Sequence, residues 1–298
     1  MELKSLGYSV FFGEENFKNL SSWINDEGYS KVFILTDDQV NENVVPKLLP
    51  QLAINCPFEI IEIESGEDQK TVETAYEIWN ILAEFNADRQ ALLLNVGGGM
   101  ITDLGGFVAA TYKRGIDFVN IPTSLLAMVD ASVGGKNGVN LGYLKNMVGT
   151  FSNPKRVCID VSFLETLPGN QLRSGLAEMY KHGLIADESY WKQLMQLDQL
   201  TTDDLTQLIY FSVYIKNEFV KADPNEKNVR KALNFGHTLG HAIETYSYQK
   251  TDFPTLLHGE AIAIGMILES YLSYKKGLIS FDVYTEIENN LNLMFETV

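Results

Sequence analysis

The sequence predicts an α/β amino-terminal half, residues 1–165, followed by an all-α carboxy-terminal half, residues 166–298. Three observations carry this expectation. Strand-like apolar runs alternate with helical patterns up to Leu164, a glycine triplet directly follows one of those runs, and beyond Leu164 the apolar spacing is helical throughout.

In chain order, KVFILT (Lys31 to Thr36) and FEIIEIE (Phe58 to Glu64) read as strands, and Thr71 to Phe85 carries a helical pattern. ALLLNV (Ala91 to Val96) is a further strand, and a helix follows the glycines at 97 to 99 and runs through Tyr112. Strands recur near Asp117 to Ile121 and near Arg156 to Ile159. Strands that alternate with helices imply a parallel sheet. From Gly169 onward, helices are expected near 170–183, 189–197, 204–221, 230–246, 259–275 and 281–292, punctuated by KADPNEKN and KTDFPT. The cleft between two such halves is the natural place for a site.

Composition narrows the function classes. The 298 residues are 45% hydrophobic, enough for a real core. No run approaches the roughly 18 uncharged apolar residues of a membrane span, and the opening MELKSLGYSVFFGEENF lacks the marks of a secretory signal. A cytoplasmic enzyme with no membrane role is expected. Cys56 and Cys158 show no CxxC spacing and read as small buried hydrophobes. A net charge of −16 without a basic stripe argues against nucleic acid as a partner, so any anionic ligand needs a local pocket of cations.

ALLLNVGGGMITDLGG sets three glycines between a strand and a helix, where backbone N–H groups and the positive helix end can approach a pyrophosphate. The spacing is not G-x-G-x-x-G, and glycines after a strand are also found as plain turns. Asp37 ends an early strand and is placed to take ribose hydroxyls; an exposed turn aspartate is the other reading. Three of the four histidines fall in NFGHTLGHAIE (His237, His241) and LHGEAIAIG (His258). His237 and His241, four apart on a helix, share one face, a spacing that suits a metal, an anionic substrate or plain packing; His258 adds a third nitrogen. A catalytic zinc takes about three protein ligands, so a carboxylate can complete the set, and Glu178 in SGLAEMYKHGL is one candidate. Lys181 lies one turn along the same face, so an intrahelical ion pair is the alternative. Arg114, Lys136, Lys145, Lys216 and Arg230 sit in glycine-rich or apolar settings that suit capture of phosphate and carboxylate.

Taken together, GGGMITDLGGFVAATYKRG, IPTSLLAMVDASVGGKNGVN, LKNMVGTF, TLPGNQLRSGLAEMYKHGLI, RKALNFGHTLGHAIE and LHGEAIAIGM resemble the 3-dehydroquinate synthase family in order and spacing, across about residues 31 to 275. The resemblance implies a Rossmann-like domain packed on an α-helical domain, with the active site between them, and a homodimer. It implies zinc, or cobalt or another divalent ion, held by Glu178, His237 and His258. It implies NAD contacts at Asp37, Glu67, Lys70, Gly98, Gly99, Asp103, Thr123, Ser124, Asp130, Lys145 and Thr166. Substrate contacts are implied at Arg114, Asp130, Lys136, Asn146, Lys181, Lys216, Arg230, Asn234 and His241. The implied substrate is a phosphorylated sugar acid, 3-deoxy-D-arabino-heptulosonate 7-phosphate, and the implied products are 3-dehydroquinate and phosphate.

Two departures stand beside the match. Asn137 occupies the position after the lysine of VGGKNG where the family pattern has threonine, and the chain ends at Val298, short of the usual family length, so a carboxy-terminal lysine has no counterpart. Rival readings are another sugar-phosphate cyclase, a metal-dependent polyol dehydrogenase of the same broad fold, and a non-catalytic nucleotide-binding subunit. Lys136 and the Lys145–Asn146 pair favour the 3-dehydroquinate synthase family over these rivals, and the number of anion-binding cations exceeds what net hydride transfer from a polyol requires.

Overall fold

The computed structural model describes residues 1–13, 15–142, 144–196, 202–249 and 255–295. The chain forms two compact units, Met1–Leu167 with Thr202–Asn217, and Pro168–Thr201 with Glu218–Val298.

In the first unit, β1 (Glu2–Lys4), β2 (Ser9–Phe12), β3 (Lys31–Asp37), β4 (Phe58–Ile63), β5 (Ala91–Gly97), β6 (Asp117–Pro122) and β9 (Arg156–Ile159) make a seven-stranded sheet in the order β1-β2-β9-β6-β5-β3-β4. Only the β1–β2 pair is antiparallel. All seven residues of β5 are buried, the expected state of a central parallel strand covered on both faces, and this explains its continuous apolar run. Crossovers are made by helices that include α1 (Asn16–Glu27), α2 (Asp38–Asn43), α3 (Val45–Leu48), α4 (Val72–Glu84) and α5 (Gly99–Thr111). Helix α4 is capped by the Thr71 side chain accepting from the Thr74 amide, and buries Thr74, Ala75, Ile78 and Leu82 at helical spacing. Ala75, Ile78 and Leu82 join Phe33, Leu35, Leu93, Leu104, Val108 and Phe118 in one core.

Strands β7 (Lys136–Leu141) and β8 (Leu144–Phe151) form a separate antiparallel hairpin that the sequence reading did not foresee. Its residues are glycine-rich and polar, so no apolar alternation announces it. Helix α5 comes close to both β5 and the hairpin because Gly105 and Gly106 lack side chains: a Cβ there would lie 1.9 Å from Asn95 Oδ1 and 2.0 Å from Asn137 Oδ1.

The second unit is helical, with α6 (Gly169–Ala186), α7 (Glu188–Leu194), α9 (His237–Gln249), α10 (His258–Lys275) and α11 (Phe281–Phe295); α8 (Thr202–Ala222) contributes to both units along the chain. The continuous helix expected over 230–246 is corrected to a 3₁₀ turn, Val229–Asn234, a break, and α9 beginning at His237. The break has a physical cause. Gly236 adopts φ +78°, its N–H donates to Glu269 Oε2 at 2.9 Å, and a Cβ there would stand 3.0 Å from the Ile262 carbonyl. Among the described residues no helix is long and apolar enough to cross a membrane.

Candidate functional site

Within the first unit, the sheet changes direction between β3 and β5. The chain leaves β3 for β4 on one side and leaves β5 for β6 on the other, which makes the carboxyl ends of β3 and β5 a topological switch point. Asp37 ends β3, Gly97 ends β5, and Thr123 follows β6 with its N–H on the Gly97 carbonyl at 3.0 Å. Gly98 is the N-cap of α5 without a side-chain cap, so the first amides of a 13-residue helix open at this edge. Space is tight around the loop: a Cβ on Gly97 would meet Ile101 at 2.6 Å, one on Gly98 would stand 3.4 Å from Ser124 Oγ, and one on Gly99 3.3 Å from Ala131 Cβ. Asp37 is buried rather than an exposed turn residue. Burial pushes its carboxyl up, while Oδ1 accepts from the Val40 amide at 2.9 Å and so caps α2.

A second group lies along α5 and the hairpin. Lys70, 4% exposed, donates to Asp103 Oδ2 and to Asn146 Oδ1, each at 2.6 Å. Burial pushes the Asp103 carboxyl up against the pull of Lys70. Asn140 donates to Glu67 Oε1 at 3.1 Å, and its own oxygen accepts from the Asn146 amide at 2.9 Å, so the Glu67–Lys70 segment and the hairpin are one network. Asn137, the departure from the family pattern, is buried and donates to the carbonyls of Gly135 at 3.1 Å and Ser152 at 2.8 Å, which ties together the two sides of the hairpin beside exposed Lys136. Lys216, buried, donates to the Asp130 carbonyl and to its Oδ1, each at 2.6 Å. Lys145 is half-buried on β8, and Thr166 closes the turn after β9 with its hydroxyl on the Phe163 carbonyl at 3.2 Å. Arg114 stands apart from these groups. It is exposed, has φ +69°, and precedes the amino end of β6, the opposite edge of the sheet from the glycine loop.

Within the second unit, Glu178 on α6, His237 on the first turn of α9 and His258 on the first turn of α10 bring three ligand atoms within 4.8 Å of one another. Glu178 Oε1 lies 3.5 Å from His237 Nε2 and 3.7 Å from His258 Nε2. It is fully buried, and takes no hydrogen bond from any described residue. Oε2, by contrast, receives the Lys181 ammonium, itself buried. The ion-pair alternative therefore accounts for one oxygen of Glu178 and leaves the other facing the two imidazoles with no hydrogen bond from any described residue. Burial opposes its charge, yet Lys181, then His237 and His258, hold the carboxyl well below the usual range. His237 Nδ1 faces the Phe235 carbonyl at 3.1 Å, which directs Nε2 toward Glu178; burial pushes the ring down to about 4, so it is neutral at pH 7. One anionic oxygen and two imidazole nitrogens are a donor set that fits zinc or a similar divalent ion.

His241 extends from the next turn of α9, its Nδ1 3.2 Å from Glu244 Oε2, and the same oxygen lies 3.4 Å from His258 Nδ1. Glu244 was missed in the sequence, although its spacing of three residues from His241 on one helix face was a usable signal. Arg230 is buried; its N–H is bound by Asp223 Oδ2 at 3.2 Å and its guanidinium donates to the Pro224 carbonyl at 2.7 Å. Asn234 is exposed and donates to Glu226 Oε1 at 2.6 Å.

Residues 60–174 match the family model described as 3-dehydroquinate synthase N-terminal, and residues 175–295 the one described as 3-dehydroquinate synthase C-terminal. A 3-dehydroquinate synthase of Parabacteroides distasonis is 44% identical over 258 residues, 86% of this chain and 72% of that relative. Among solved structures, 2-deoxy-scyllo-inosose synthase complexed with carbaglucose-6-phosphate, NAD+ and Co2+ superposes with TM-score 0.86 at 25% identity, over 99% of this chain and 81% of that one. A 2-epi-5-epi-valiolone synthase from Streptomyces hygroscopicus with NAD+ and Zn2+ bound gives TM-score 0.83 at 30% identity, over 99% and 82%.

Proposed function

The chain belongs to the 3-dehydroquinate synthase family, and from that premise we propose that it converts 3-deoxy-D-arabino-heptulosonate 7-phosphate to 3-dehydroquinate and inorganic phosphate. The net conversion is redox-neutral: phosphate is eliminated, the ring opens, and an intramolecular aldol step closes the carbocycle. The observation that carries the reading is the buried Glu178 Oε1, without a hydrogen bond from any described residue, facing Nε2 of His237 and His258. An uncompensated carboxylate oxygen costs about 1–3 kcal/mol or more unless a cation completes it.

Glu178, His237 and His258 would hold a zinc or cobalt ion, which when bound supplies Lewis-acid stabilisation of negative charge on a substrate oxygen. NAD, which when bound supplies the hydride acceptor, would take its pyrophosphate at Gly98 and Gly99 and a ribose at Asp37, with Glu67, Lys70, Asp103, Thr123, Ser124, Asp130, Lys145 and Thr166 around it. Lys136, Lys216 and Arg230 neutralise the phosphate and carboxylate of the substrate, and Asn146, Lys181 and Asn234 orient its hydroxyls. Offsetting the phosphate charge eases its departure once the neighbouring carbon has become acidic beside a ketone. His241, half-exposed beside Glu244, offers its second ring nitrogen to the substrate. Arg114 is assigned a substrate contact by the family resemblance, and its place at the opposite sheet edge leaves that contact without support inside one chain. The reading carries with it a cytoplasmic homodimer.

The test is phosphate release from 3-deoxy-D-arabino-heptulosonate 7-phosphate by the purified chain with NAD and zinc, with the product identified and NADH followed alongside. Stoichiometric phosphate and 3-dehydroquinate, no lasting NADH and loss on chelation are expected. Turnover of glucose 6-phosphate or sedoheptulose 7-phosphate instead would assign the chain to another cyclase reaction.

A further inference from the structure

Glu244 is a carboxylate at the centre of a histidine cluster, and it is 1% exposed. It sits on α9, three residues after His241, and its Oε2 faces two rings at once, His241 Nδ1 at 3.2 Å and His258 Nδ1 at 3.4 Å. The two rings belong to different helices and stand 5.5 Å apart between centroids. The backbone around them is anchored independently. Ser247 Oγ donates to the Glu244 carbonyl at 2.7 Å and accepts from the Leu256 amide at 3.2 Å, while the Gly259 amide donates to Ser174 Oγ at 2.8 Å.

An ionised carboxylate oxygen only accepts hydrogen bonds, so each nitrogen facing it must carry a proton. Both rings thereby keep a proton on Nδ1, so that the lone pair of each neutral ring falls on Nε2. For His258 that is the nitrogen 3.7 Å from Glu178 Oε1. His237 reaches the same form by another route, through the Phe235 carbonyl. A backbone carbonyl thus sets one ring of the cluster and Glu244 sets the other two.

We propose that Glu244 is the positioning residue of this site, fixing through a single oxygen both a metal-ligating ring, His258, and the substrate-facing ring, His241, so that each presents an unprotonated Nε2. The proposal rests on the reading of the site given above. It makes metal occupancy and the orientation of His241 depend on one side chain. His241, whose side chain is 43% exposed, is open to a ligand; Glu244 is not, and acts only through its neighbours.

Glu244→Met roughly keeps the side-chain volume and removes the carboxylate, so neither ring keeps the acceptor that holds its Nδ1–H. Competition with a chromophoric chelator should show zinc binding at least about tenfold weaker than in the wild type. Turnover of the variant at saturating zinc should remain depressed, because His241 has lost its orientation. Zinc affinity within twofold of wild type would overturn the proposal. A second measurement needs no variant: long-range ¹H–¹⁵N spectra of the zinc-loaded wild type, which has four histidines, should show protonated Nδ1 and unprotonated Nε2 for His241 and His258. Either ring in the Nε2–H form would overturn it, whatever the fold of the variant. Failure of the wild type itself to bind zinc would instead sink the metal reading on which the proposal stands.

Discussion

Glu178 Oε1 and His237 Nε2 stand 3.5 Å apart with no hydrogen bond to that oxygen from any described residue, while Lys181 occupies the other oxygen of the same group. A buried carboxylate oxygen beside two imidazole nitrogens is a donor set that a divalent cation can complete. Chelated protein should therefore gain stability on zinc addition, by about 2.7 kcal/mol at a hundredfold excess over Kd. Thermal melts with and without zinc read this directly. Glu178→Gln and His237→Ala should lose the zinc-dependent shift, and its retention in both would refute the assignment.

The pH dependence of metal uptake follows from His258. Burial works against its charge, yet the Glu178 and Glu244 carboxylates outweigh that and push the metal-free ring up to about 9. A raised histidine pKa contributes stability that is complete below the unfolded value, near 6.5, and is lost as pH rises through about 9. Metal-free protein should accordingly weaken from pH 7 to 9. Zinc affinity should climb over the same window, by up to about tenfold per pH unit, because the ion must displace that proton. Affinity that falls from pH 7 to 9 would contradict the arrangement.

Asp37 tests the nucleotide end. Asp37→Ala should weaken NAD binding by about tenfold, one charge-assisted contact of about 1.5 kcal/mol. It should also cost about 1 kcal/mol of stability through the lost cap on α2. NAD titration and denaturant melts separate the two effects, and unchanged NAD affinity would remove Asp37 from the site.

Arg230→Ala is expected to lower kcat/KM more than tenfold while zinc content is retained, since Arg230 is not among the three grouped metal donors Glu178, His237 and His258. Steady-state kinetics with metal analysis decide it. Unchanged kinetics would refute a substrate role.

Gly265 controls how closely α10 approaches the start of α9. A Cβ there would lie 1.9 Å from the Gly236 carbonyl and 2.8 Å from the Gly240 nitrogen, both backbone atoms that cannot swing aside. Gly265→Ala should cost at least about 1–3 kcal/mol, and should weaken zinc binding in step, because the same contact positions His237. A stable variant with wild-type zinc affinity would show that the helices can part without disturbing the site.

By itself the sequence determined the alternation of β3 to β6 with helices, the helical second unit, the glycine loop and the closeness of three histidines along the chain, because each is a local signal: period, breaker residues, or rare residues near one another. It did not reveal the β7–β8 hairpin, whose polar and glycine-rich strands lack alternation, nor the break at Gly236, which is imposed by α10 crossing at backbone distance. Glu178 was legible as one acid among many; only packing showed that one of its oxygens is satisfied by Lys181 and the other is not. Glu244 became visible only when α9 and α10 brought His241 and His258 to the same oxygen, and the sequence named Arg114 without showing that the sheet sets it at the far edge from the glycine loop. Residue type and spacing are written along the chain, whereas which lone pair lacks a partner depends on contacts between segments distant in sequence, and those exist only in the folded protein.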